Sequence, residues 1–171
     1  MIERLHIRPA RQDDVDTIVM FNVAMAFETE SRRLDPATLR KGTLAILRTP
    51  RYGFYIVAEL PEDKSYKPVG QLMITYEWSD WRNGAFWWIQ SVYVVPERRC
   101  LGVFRAMHNH ILAKARADSR ACGIRLYVER QNRTAQTVYQ SVGLTPSAYT
   151  VFEQDFVLGH EVHRKQPKEF P

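Results

Sequence analysis

Between Ala85 and Ala121 the chain changes period in a way that few folds accommodate. Residues 85–95 are apolar and aromatic enough for a strand, Pro96 stops it, and an arginine-rich turn containing Gly102 follows. From there Val103, Ala106, Met107, Ile111 and Ala115 recur at helical spacing, and Gly123 stands where a helix usually stops. The spacing therefore predicts one long helix over 99–121. A strand running straight into an amphipathic helix needs a sheet to receive the apolar stripe, which commits the chain to α/β layering. The turn also has chemistry of its own. The first turn of a helix presents unpaired N–H groups and the positive end of the dipole, and a glycine there lets an anion reach the backbone.

The other elements arrange themselves around this unit. Residues 6–8 read as a first strand. Asp13 and Asp14 then offer capping oxygens to a helix with Val15, Ile18, Val19, Asn22, Val23 and Ala26 on one stripe. The pattern breaks over 27–31, and Asp35-Pro36 opens a second helix reaching Leu47. Residues 52–60 and 69–76 precede the strand at 85–95, and the turn-rich links 61–68 and 79–84 make the three an antiparallel meander. After the long helix come a strand at 124–128, a helix over 134–142 ended by Gly143, and a last strand at 149–157. The expectation is one α/β domain over 1–158 with a mixed, mostly antiparallel sheet of six to seven strands and about four helices. A polar tail at 159–171 follows, expected to be mobile or to lie on a neighbour. A chain of 171 residues, 45% apolar, can bury one core of this kind.

Composition narrows the function classes. No apolar run approaches the roughly 20 residues that cross a bilayer, and the start lacks a secretory stretch, so the expectation is a cytoplasmic protein with no membrane partner. Cys100 and Cys122 flank a predicted helix and would lie far apart, which argues against a disulfide. Two distant cysteines and five histidines without ligand spacing argue against a metal. The net charge is +5, but residues 97–133 alone carry +6, leaving −1 elsewhere. Such a local concentration is expected if one segment handles a compact polyanion, though from charge alone a solvated cationic face is the favoured reading.

The turn reads Arg99-Cys100-Leu101-Gly102-Val103-Phe104-Arg105. It resembles the cofactor loop of the GNAT acyltransferase superfamily, which runs Gln or Arg, two residues, Gly, one residue, then Gly or Ala. It departs at Phe104, where the family has a small residue, and at Cys100, where it often has another glycine. Downstream, Asn132, Ala135, Tyr139, Gly143 and Leu144 fill every position of the family's second hallmark, and Ala135 and Tyr139 share one helix face. The resemblance covers 87–144. It implies a sheet splayed between strands 4 and 5, acetyl-CoA as co-substrate, and residues 99–105 around the pyrophosphate. It also implies that the Val92 and Val94 backbone, with Tyr93 between them, pairs with the pantetheine arm, that Asn132 lies near that arm, and that Tyr139 lies beside the thioester sulfur. An uncharged phenol, ordinarily titrating near about 10, can protonate a departing thiolate. Without the resemblance, Asn132 reads as a helix cap and Tyr139 as a core aromatic.

The acceptor implied is a primary amine on a small molecule, attacking directly in a ternary complex. It must be neutral to attack, yet Gln90 occupies the strand position where relatives often carry a glutamate, and an amide is no base. Glu28 and Glu30, in the link after the first helix, are candidates for holding a cationic amine; a solvated acidic helix end is the alternative. Glu129 is a further carboxylate near Asn132. All four tryptophans fall within 78–88, where aromatic walls or core filling are both open readings, and this region with the acidic link resembles polyamine acetyltransferases. Gln90 and Phe104 support a second reading, a non-catalytic acyl-CoA-binding or sensory module. A basic nucleic-acid-binding domain is a third. A homodimer is in keeping with the resembled family.

Overall fold

The structure, a computed structural model, describes residues 4–157. Five strands form one sheet in the order β1-β2-β3-β4-β5. β1 (His6–Pro9), β2 (Phe54–Glu62), β3 (Ser65–Ser79) and β4 (Gly84–Val94) are antiparallel neighbours, whereas β5 (Ala121–Arg125) lies parallel to β4. The parallel pairing follows from α3 (Val103–Ala117), which carries the chain back across the sheet between them. α1 (Val15–Glu30) and α2 (Pro36–Arg48) lie between β1 and β2 in sequence, and α4 (Arg133–Ser141) follows β5.

One face of the sheet receives α3, whose Val103, Met107, Ile111 and Ala115 pack with Ile56, Leu72, Ile74, Trp87 and Ile89. Alternation along the strands sends Tyr55, Gln71 and Tyr93 to the other face, where Phe21 and Asn22 of α1 meet them. A buried ion cluster ties the start of the chain to this frame. Arg8 on β1 donates from Nη1 and Nη2 to the two Asp14 oxygens at 2.7 and 2.9 Å, and from Nε to Glu59 on β2 at 2.9 Å. Asp14 and Glu59 are 7% and 5% exposed, so each carboxylate depends on these partners. Asp14 thus anchors β1 to the start of α1 and makes no side-chain cap.

Several boundaries differ from those read in the sequence. α1 continues through 27–30 and stops at Ser31, which turns left-handed at φ 52°, because nothing before it breaks the helix. The link at 61–68 is mostly hairpin, Glu62 pairing Ser65 around Asp63 at φ 50°. The long helix is shorter at both ends, starting after Gly102 and ending at Asp118. Gly123 therefore belongs to β5, where a Cβ would come within 2.6 Å of the Phe86 ring. Cys100 and Cys122 are both free, one in the turn before α3 and one on β5.

Among the described residues the sheet has five strands where six to seven were expected. Residues 149–157 form no strand, and Tyr149, Val151, Phe152, Phe156 and Val157 are exposed. Alternating side chains make a strand only where a ladder partner meets the backbone, and the chain leaving α4 through Pro146 finds none. The tail at 159–171 lies outside the described residues.

Candidate active site

The site begins where two strands part. β4 and β5 pair only from Ala85/Ala121 to Trp88/Arg125, and β4 then runs on to Val94 with no described strand on that side. Its other edge stays on β3, but Met73 pairs Gln90 while Gln71 pairs Tyr93, so β4 spends one residue more than β3. The extra residue is absorbed at Ser91, whose φ is 50°. Such a bulge bends its strand and turns it from its neighbour. A buried amide chain supports it from α1: Gln71, fully buried, donates to Asn22 Oδ1 at 2.9 Å and to the Ser91 carbonyl at 3.4 Å, and Asn22 donates to the Tyr55 hydroxyl at 3.4 Å.

Beyond β4 the chain turns through Pro96–Arg98, passes Cys100 at φ 60° and Gly102 at φ 90°, and enters α3. No side chain caps this helix, and a Cβ on Gly102 would meet nothing within 4 Å. The amides of Val103, Phe104 and Arg105 thus open α3 without intrahelical partners, beside free space, which suits a diphosphate. Leu101 is exposed on the rim. Cys100 carries a side chain in the left-handed region, which explains why the resembled loop prefers glycine there. Cys100→Gly should raise stability by about 1 kcal/mol, as read by urea denaturation.

Arg99 does not point freely into this space. It donates from Nε to the Val94 carbonyl at 2.8 Å and from Nη2 to Glu28 at 2.6 Å, with its guanidinium 5.4 Å from the Tyr93 ring centre. Glu28 also accepts from the Tyr93 hydroxyl at 2.9 Å. Burial would raise its carboxyl, but Arg99 and Tyr93 outweigh that and hold it below the usual range. Glu28 is therefore the tie between the end of α1 and the end of β4, and Tyr93 faces α1 with its side chain. Arg105 reaches α4, donating to the Ser141 carbonyl at 3.4 Å and hydroxyl at 3.3 Å.

α4 brings the second motif alongside. Asn132 caps it, its Oδ1 accepting from the Ala135 amide at 3.0 Å. Tyr139 lies against the first turn of α3, its ring centre 5.3 Å from that of Phe104. Burial pushes its phenol above the ordinary value, so the proton stays on at neutral pH.

On the α1 side of the parting strands, Gln90 donates to the Thr75 hydroxyl and accepts from the Tyr127 hydroxyl at 3.4 Å. The Trp88 ring lies 5.6 Å from that of Tyr127, tilted by 51°, and donates its indole N–H to Glu77, whose other oxygen accepts from Arg125 at 3.0 Å. Burial, then the charges of Glu153 and Glu30, push the Tyr127 phenol up, while the Glu30 carboxylate itself lies 3.7 Å from Arg32 Nε. Glu129, by contrast, turns back on the Gln131 amide. Glu77, Arg125 and Tyr127 had no motif to reveal them. The tryptophans divide: Trp87 is in the core, Trp88 is here, and Trp78 and Trp81 line an open cleft of about 320 Å³ with Arg125 and Tyr149. Among the described residues no group of His, Cys, Asp and Glu could hold a metal, and no helix is long and apolar enough to cross a membrane.

Comparison with known proteins adds independent findings. The model of the acetyltransferase (GNAT) family matches residues 18–144. A possible acetyltransferase from Clostridium difficile 630 is 44% identical, with a TM-score of 0.81 over 91% of this chain and 99% of that one. The fold recurs in a predicted acetyltransferase with acetyl-CoA from Clostridium acetobutylicum, 15% identical, TM-score 0.69, over 88% of this chain and 96% of that one. It recurs again in glucosamine-6-phosphate N-acetyltransferase from Arabidopsis thaliana, 15% identical, TM-score 0.66, over 89% of this chain and 99% of that one. No curated protein matches.

Proposed function

The chain belongs to the GNAT acetyltransferase family, and from that premise we propose that it moves an acetyl group from acetyl-CoA to a primary amine of a small molecule, directly, in a ternary complex. The observation that carries the reading is the unpaired edge of β4 at residues 89–94, leading into the uncapped start of α3 with Tyr139 packed beside that start. An extended amide chain ending in a diphosphate has the shape and hydrogen-bonding pattern of that edge and helix start.

In this reading the Val92 and Val94 amides and carbonyls serve the pantetheine arm, less the Val94 carbonyl lone pair that Arg99 takes. The amides of 103–105 hold the diphosphate, and Asn132, its oxygen spent on the cap, offers its amide nitrogen to the arm. Arg99 acts by fixing the end of β4. Acetyl-CoA supplies the activated acyl carbon. The acceptor nitrogen bonds to that carbon, the carbon–sulfur bond breaks, the sulfur takes the Tyr139 proton, and the nitrogen gives its proton to water, which restores one to the phenolate. Gln90 orients Thr75 and Tyr127 on the acceptor face, and Glu30, the last residue of α1, is the carboxylate assigned to attract the amine.

Calorimetric titration with CoA followed by a screen of primary amines with a free-thiol readout tests this. The expected result is saturable CoA binding and thiol release with at least one amine. Binding without release from any amine would favour an acyl-CoA-binding module. Salt-dependent binding to DNA or RNA without CoA affinity would favour a nucleic-acid protein.

A further inference from the structure

Phe104 stands where the resembled loop carries a small residue, and its ring has a defined pair of neighbours. Its centre lies 5.3 Å from that of Tyr139 at an interplanar angle of 61°, and 6.0 Å from that of His108. His108, one turn along α3 and only 2% exposed, backs the phenyl ring from the same helix. The phenyl group is thus held by a rigid element and meets the phenol edge to face, an orientation that the ring quadrupoles favour. α4, in contrast, is lightly anchored. It buries no residue fully, and its hydrogen bonds to α3 are the exposed ones from Arg105 to Ser141. Among the described residues, Phe104 is the aromatic ring that meets the Tyr139 phenol.

The geometry points to Phe104 as a positioning residue that aims the Tyr139 hydroxyl for proton transfer, a role resting on the assignment of Tyr139 as the acid. The large ring in place of a small one substitutes side-chain contact for the tighter helix packing that α4 lacks. A misaimed acid loses rate without losing cofactor, because the diphosphate meets the Phe104 amide and not its ring.

The test compares Phe104→Ala, Phe104→Leu, Tyr139→Phe and the double variant Phe104→Ala/Tyr139→Phe, each measured for kcat, KM, CoA affinity and melting. Phe104→Ala should lower kcat about tenfold with CoA affinity within about twofold of the parent, Phe104→Leu should recover part of it, and the double variant should match Tyr139→Phe alone. The alkaline limb of the kcat profile should also move to lower pH in Phe104→Ala as water reaches the phenol. If Tyr139→Phe loses rate while Phe104→Ala does not, or if the two losses simply add, the positioning role is wrong though the acid stands. If Tyr139→Phe itself keeps full rate, the assignment of the acid fails, whatever Phe104 does. Should Phe104→Ala not fold, Phe104→Leu in the same cycle decides the question.

Discussion

Tyr139→Phe should lower kcat by about 10²- to 10³-fold while leaving CoA affinity nearly unchanged. The substitution removes one oxygen and keeps the ring, so the contact with Phe104 persists and α4 should hold its place. What is lost is the proton that burial keeps on the phenol at neutral pH. Without it a thiolate must leave unprotonated or wait for water, and the penalty falls on the chemical step. Steady-state kinetics with a competent amine and calorimetry with CoA separate the two quantities. Equal losses in kcat and in CoA affinity would mean that the tyrosine shapes the binding cleft and is not the acid.

Arg8→Met should cost about 3–5 kcal/mol of unfolding free energy, a large share of the roughly 5–15 kcal/mol typical of a domain. Asp14 would lose both charged hydrogen bonds and Glu59 one, and both carboxylates are buried. Burial alone raises the Asp14 carboxyl; Arg8, with the Arg11 amide, outweighs that and holds it below its usual range. A depressed folded pKa means that this stabilisation is full above the unfolded value of about 3.9 and is lost as pH falls through the folded value. In Arg8→Met burial would prevail, so acid unfolding should begin at higher pH. Urea titrations across pH measure both effects. Replacing Arg8, Asp14 and Glu59 together by apolar residues of similar size should restore much of the stability, since the cost lies in the orphaned charges.

What the sequence disclosed and what it hid differ by range. Gly102 before an amphipathic stripe, and Asn132, Ala135 and Tyr139 at fixed spacing, are local patterns, and the turn, α3 and α4 follow from them. The resemblance put Gln90 where relatives carry a glutamate, and an amide is no base. The Glu28–Arg99 tie spans 71 positions, Gln71–Asn22 spans 49 and Glu77–Arg125 spans 48, and no local period announces such partners. Glu28 was expected in the link after the first helix; one more turn of α1 carries it to Tyr93 and Arg99. The strand expected at 149–157 failed for the complementary reason, since alternation specifies a face but not a neighbour.

The early end of the β4–β5 ladder has a thermodynamic corollary. The free protein is a sheet with missing rungs, and a molecule that supplies them becomes part of the fold's own hydrogen-bond inventory. Its binding free energy is then also unfolding free energy, so the melting temperature should climb with CoA concentration well past saturation of the site, as mass action requires. On the proposed assignment, the heat resistance of this chain rises with the CoA around it.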